Sequence, residues 1–141
     1  MVIETVKACK LHTAVTVNET DSIVNVAKKI HEFQERRVLV LNKKKYPIGI
    51  ISVVDINDRV VARNKDLKKT KAKDIMTYPI HLVLDENTPA KEALKKMVVK
   101  DNYYVPVVKN GALKGLLTYS SLANILNIGN GKKKTKRVAN K

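Results

Sequence analysis

One pattern of residues occurs twice in this chain, and that limits the possible folds more than any other feature. Shifted by 67 positions against itself, "VNETDSIVNVAKKI" (Val17 to Ile30) lies on "LDENTPAKEALKKM" (Leu84 to Met97), and "RRVLVL" (Arg36 to Leu41) lies on "YYVPVV" (Tyr103 to Val108). One residue is lost in the next turn. "IGIISVVDI" (Ile48 to Ile56) then falls on "KGLLTYSSL" (Lys114 to Leu122) at an offset of 66, and Cys9 falls on Met76. A unit of about sixty residues buries its own apolar faces poorly. Two such units packed together solve that problem.

Each copy has the same layout. The pattern predicts a short strand (Ala14–Val17; His81–Leu84), then an amphipathic helix. In the first copy Asp21 is the expected helix cap, with Ile23, Val26, Ala27, Ile30 and Phe33 as the apolar stripe. In the second, Thr88 is the expected cap with Pro89 at the first helical position. The stripe there is Ala90, Ala93, Leu94, Met97 and Val98. An apolar strand (Arg37–Leu41; Tyr104–Val108), a turn and a second strand (Ile48–Ser52; Leu113–Thr118) follow. Asn110-Gly111 is a strong hairpin signal. A last helix closes each copy (Val53–Asn64; Tyr119–Asn127). The expected fold is therefore α/β (α+β), two β-α-β-β-α repeats packed with pseudo-twofold symmetry. The divisions are 5–64 for repeat 1, 65–73 for a basic linker, 74–127 for repeat 2 and 128–141 for a basic, disordered tail.

The core must be aliphatic, since hydrophobic residues make up 44% of the chain, aromatics only 4%, and Trp is absent. With a single cysteine, Cys9, no internal disulfide forms. That count and the lack of a signal-peptide pattern predict a cytoplasmic setting. No apolar run approaches the ~18 residues of a membrane span. The formal net charge is +15, concentrated in the tail (Lys132, Lys133, Lys134, Lys136, Arg137, Lys141), around the linker (Lys65, Lys68, Lys69, Lys71, Lys73) and at Lys43-Lys44-Lys45. Such potential suits polyanions, nucleic acid or nucleotide phosphates, and equally suits plain solvated loops. The tail starts with Gly129 and Gly131, which fits a helix ending there.

Ser52 and Asp55 pose the central question. S-x-x-D at a strand-to-helix junction makes a capping box. The same residues also fit a ligand: free N–H groups and a hydroxyl for phosphate, and an ionised aspartate to accept from both hydroxyls of a ribose. Gly49 allows a ligand or a backbone to approach closely. Other chemistry finds less support. Cys9 and His12 lack further metal ligands. His31 and His81 have no neighbouring Ser or Cys to activate. Asp85 and Glu86 read as turn residues. Tyr103 and Tyr104 alternate across a strand, which predicts one in the core and one at a cleft; with Tyr46 and Tyr78 they are too scattered for a nucleic-acid stacking platform.

The duplicated β-α-β-β-α unit, "RRVLVL"/"YYVPVV" and the endings "GIISVVDI"/"GLLTYSSL" resemble a tandem pair of CBS domains, a Bateman module. The resemblance covers about residues 5 to 127 and suggests a small stand-alone CBS-domain protein. It implies a non-enzymatic regulator without a catalytic cofactor or metal, which binds an adenosine nucleotide (AMP, ADP, ATP or S-adenosylmethionine), dimerises with itself and signals to a regulated protein. By that resemblance Asp55 holds the ribose hydroxyls, Ser52 touches phosphate, Ile50 flanks the sugar or base, and Arg36 and Arg37 reach phosphates. The other repeat lends the base pocket: Thr77, Ile80 and Leu82 at its entrance, with Asn102 and Tyr103 before its strand. The second cleft is expected to be degenerate. Thr118 keeps the hydroxyl, but Ser121 replaces the aspartate, and Tyr103 and Tyr104 replace the two arginines. A charged hydrogen bond contributes roughly 1.5–3 kcal/mol against about 1 for a neutral one. The ribose grip is then roughly tenfold to a hundredfold weaker. Leu39 stands where the family usually has proline, and Cys9 where it often has methionine. The alternative is a nucleic-acid-binding protein that uses the basic tail and linker on the same scaffold.

Overall fold

The computed structural model describes residues 3–128; the basic tail, with Gly129 and Gly131, lies outside them. A short 3-10 turn, Val6–Ala8, precedes the first repeat. Repeat 1 consists of β1 (Thr16–Asn18), α1 (Ile23–Phe33), β2 (Arg37–Leu41), β3 (Pro47–Ser52) and α2 (Val53–Ile56). The last helix continues through Asn57–Val61 with π-type bonding. A four-residue helix, α3 (Ala72–Ile75), opens the second half. Then come β4 (Leu84–Asp85), α4 (Ala90–Lys100), β5 (Tyr104–Lys109), β6 (Ala112–Thr118) and α5 (Tyr119–Leu126).

The duplication is visible in the sheets. Each has three strands, the first parallel to the second and the second antiparallel to the third. Both antiparallel ladders slip register at matching points, between Val40 and Leu41 and between Val107 and Val108. At the β5–β6 hairpin, Asn110 and Gly111 both take positive φ, 52° and 81°, as a two-residue turn of this kind requires.

Two helix caps differ from expectation. Ser22 caps α1, its Oγ accepting from the Asn25 N–H at 3.2 Å. Asp21 instead closes the preceding turn, accepting from the Asn18 N–H at 3.0 Å. In repeat 2 neither Thr88 nor Pro89 offers a side-chain cap, and the first helical residue is Ala90. Both helix starts take their acceptor from far along the chain. The Ala90 N–H donates to the Glu4 carbonyl and the Ile23 N–H to the Thr70 carbonyl, at 2.8 and 2.9 Å. Donors that a helix cannot satisfy internally are thus met by a distant backbone.

These bonds expose the logic of the molecule: each repeat's core takes its leading turn from the segment that precedes the other repeat. Val6 and Cys9, which come before β1, lie in the core of repeat 2 with Leu84, Met97, Leu117 and Leu122. Ala72 and Ile75, which come before β4, lie in the core of repeat 1 with Ile23, Val26 and Ile51. The backbone rungs repeat as well. The Lys7 N–H donates to the Glu86 carbonyl (2.8 Å), as the Lys73 N–H does to that of Glu19 (3.0 Å). Gly49 and Gly115 are what let the crossing segments in. A Cβ on Gly49 would stand 2.5 Å from the Met76 Sδ, and one on Gly115 would stand 2.9 Å from the Leu11 Cβ and 3.0 Å from the His12 carbonyl oxygen.

Candidate functional site

A cleft of about 360 Å³ lies between the two repeats. Its walls come in pairs related by the repeat offset: Leu39 with Pro106, Ile50 with Leu116, Arg37 with Tyr104, and Ala14 with His81. The cleft therefore lies on the pseudo-twofold axis. Its charged and polar lining includes Arg37, Glu35, Asp101, Asn102 and His81 with the two tyrosines, over an aliphatic floor.

Five residues singled out in the sequence meet there: Arg37, Ile50, Ile80, Asn102 and Tyr103. The others lie elsewhere. Arg36 is exposed one residue before β2, its carbonyl accepting from the Val53 N–H at 3.0 Å. Thr77 is bonded through its backbone to Ile50 in both directions, at 2.9 and 3.0 Å, along the free edge of β3. Leu82 is buried in the core of repeat 2. Tyr103 and Tyr104 both line the cleft and neither is core. Tyr103 precedes β5, so strand alternation does not apply to the pair. Burial and the neighbouring Asp101 push the Tyr103 phenol up. Its ring meets that of Tyr119 edge-on at 5.6 Å.

Sequence reasoning passed over Glu35, Asp101, His81 and the Thr13–Val15 stretch as cleft residues. The repeat itself carried the signal, since Glu35 pairs with Asn102 and Thr13 with Ile80 at the same offset as the rest.

Ser52 and Asp55 form the full capping box. The Ser52 Oγ accepts from the Asp55 N–H at 3.1 Å, and the Asp55 Oδ2 accepts from the Ser52 N–H at 2.9 Å. The second carboxylate oxygen, Oδ1, stands 3.7 Å from the Arg59 guanidinium. The counterpart pair is only half a box. The Thr118 Oγ1 accepts from the Ser121 N–H at 3.2 Å, but the Ser121 hydroxyl donates to the Lys10 carbonyl at 2.7 Å. Its proton is committed to the crossing segment. Cys9 is buried, and its burial, with Glu4 nearby, pushes the thiol up. Among the described residues no three His, Cys, Asp or Glu side chains are placed to hold a metal ion, and no helix is long and apolar enough to cross a membrane.

Comparison with known proteins matches the sequence pattern of the CBS domain twice, over residues 7–62 and 72–128. An uncharacterised protein of Methanopyrus kandleri is 33% identical over 112 residues, 79% of this chain and 57% of that protein. A CBS domain-containing protein of Arabidopsis thaliana is 34% identical over 113 residues, 80% of this chain but 21% of its own length. The chain thus spans between a fifth and about three-fifths of these relatives. Among solved structures, Hypoxic Response Protein I, determined with two coordinated zinc ions, superposes with a TM-score of 0.69 at 20% identity, covering 87% of this chain and 99% of that one. A CBS domain structure at 26% identity superposes with a TM-score of 0.61 over 90% of this chain and all of that one.

Proposed function

Since the chain belongs to the CBS-domain family, with two such domains in tandem, we propose that it is a regulatory module that binds an adenosine nucleotide between its repeats and signals to a partner protein. The observation that supports this reading is the convergence of Arg37, Ile50, Ile80, Asn102 and Tyr103 from both repeats on one cleft. The aliphatic floor and the tyrosines suit a purine, and Arg37 suits a phosphate. Asp55, in the first turn of α2 directly after β3, the strand that carries Ile50, keeps one carboxylate oxygen for ribose hydroxyls. Ser121 has no such oxygen and its hydroxyl is in use, so the nucleotide binds at the Asp55 end.

A ligand that bridges two repeats shifts their packing only by binding one arrangement better than another. The test is thermal unfolding with AMP, ADP, ATP and S-adenosylmethionine, beside the Asp55→Ala variant. A ligand at a hundred times its dissociation constant stabilises by ~2.7 kcal/mol. A shift of several degrees with one nucleotide, absent in the variant, is the expected result. No shift with any of the four removes the nucleotide reading.

A second reading, binding to nucleic acid, draws on the exposed linker lysines Lys65, Lys68 and Lys69 and on the net charge of +15. It requires binding that falls steeply with salt and is lost when residues 131–141 are removed.

A further inference from the structure

Arg59 was not among the residues the sequence singled out, yet it joins two parts of the molecule that nothing else in repeat 1 joins in the same way. Its Nη1 donates to the Ile75 carbonyl at 2.7 Å, and its Nη2 faces the Asp55 Oδ1 at 3.7 Å. Ile75 belongs to the segment that crosses over from ahead of repeat 2. Two residues on, Thr77 exchanges both backbone hydrogen bonds with Ile50, a cleft residue. Asp55, Arg59, Ile75, Thr77 and Ile50 thus form a continuous path from the helix start to the cleft wall. We propose that Arg59 is a positioning residue that ties the Asp55 carboxylate to the crossing segment, so that the state of Asp55 is felt at the Thr77–Ile50 wall of the cleft.

The other repeat shows why such a link exists. Where Asp55 stands in repeat 1, Ser121 stands in repeat 2, and it reaches the crossing segment directly by donating to the Lys10 carbonyl. A carboxylate cannot donate, so an aspartate at this position needs a donor group between itself and a carbonyl. Arg59 is that donor. At its counterpart position repeat 2 has Ile125, which packs against the core and offers no donor. The guanidinium fork suits the task because it presents donors to two acceptors at once. The arrangement also leaves Asp55 Oδ1 short of a full hydrogen bond from Arg59, and therefore able to accept one from a ligand. This last consequence rests on the nucleotide reading above; the tie itself does not.

The experiment is amide hydrogen exchange on the ligand-free protein, read at Thr77 and Ile50. Arg59→Leu, which copies the apolar character of Ile125, is expected to speed exchange at both by about tenfold, the loss of one charge-assisted bond. Asp55→Asn should produce part of that effect, and the double variant no more than Arg59→Leu alone. Arg59→Lys, with charge but no fork, should restore protection only partly. Ser121→Ala should speed exchange at His12 and Leu116 and leave Thr77 unchanged. Unaltered Thr77 exchange in Arg59→Leu, or fully additive effects of the two repeat 1 variants, overturns the proposal. A separate titration with ATP reads the ligand consequence: binding to the wild type that weakens about tenfold in Arg59→Leu supports it, and equal binding to both refutes it. Failure of ATP to bind the wild type counts against the nucleotide reading and leaves the exchange result to decide on Arg59.

Discussion

Glu86 shows how much one side chain can depend on the crossover. Its residue is buried, and its Oε1 accepts from the Lys114 ammonium at 2.6 Å. That hydrogen bond, opposed by burial and helped by the charges of Lys114, Lys7 and Lys109, holds its carboxyl below the usual glutamate range. An acid with a lowered folded pKa contributes stability at neutral pH, because the unfolded chain takes up the proton first as pH falls. The contribution starts to fade below the ordinary value of about 4.3 and is gone once the pH passes the folded one. Denaturation midpoints should therefore show Glu86→Gln less stable than wild type at neutral pH and the gap closing in acid. A constant gap would mean that packing, not charge, is what the substitution removes. The sequence placed Glu86 in a turn and gave no hint of this pair, since Lys114 is far along the chain and meets it only through the β5–β6 hairpin. Ser52 and Asp55 were the opposite case. Their spacing fixed the capping box, because a box is local.

Elements were legible where the period was clean. Arg37–Leu41 reads as a strand from its apolar run and is one. Ser22 caps α1 in place of Asp21 because Asp21 is already held by the preceding turn, whereas α4 has no side-chain cap and its first N–H is met by the Glu4 carbonyl, beyond any local window. The two strand glycines belong to this scale too. Gly115→Ala sets a methyl against a backbone carbonyl, which cannot move aside, and should cost about 1–3 kcal/mol in urea denaturation. Gly49→Ala meets the Met76 side chain. Its cost should be smaller and should largely vanish when Met76 is also shortened to Ala. Equal costs at the two glycines, with no rescue by Met76→Ala, would contradict this assignment of what each glycine makes room for.

At the scale of the whole molecule, the repeat predicted two units packed together but not the exchange between them. Nothing in a self-alignment says which copy a leading segment will join. The exchange makes the halves depend on each other. Val6→Ala, a change ahead of β1, should destabilise the protein by about 2 kcal/mol through the core of repeat 2. Both sheets should still melt in one transition, with fluorescence of Tyr46 in repeat 1 and Tyr119 in repeat 2 reporting the same midpoint after replacement of the other tyrosines. Two separated midpoints would show the halves to be independent. A single repeat cut from this chain would carry a turn that fits only another repeat and lack the turn that fits itself. Two such pieces complete each other as a symmetric couple. Joining the end of one to the start of the next through 65–73 makes the couple permanent. The linker thus supplies within one chain the proximity that two separate repeats would have to obtain from concentration.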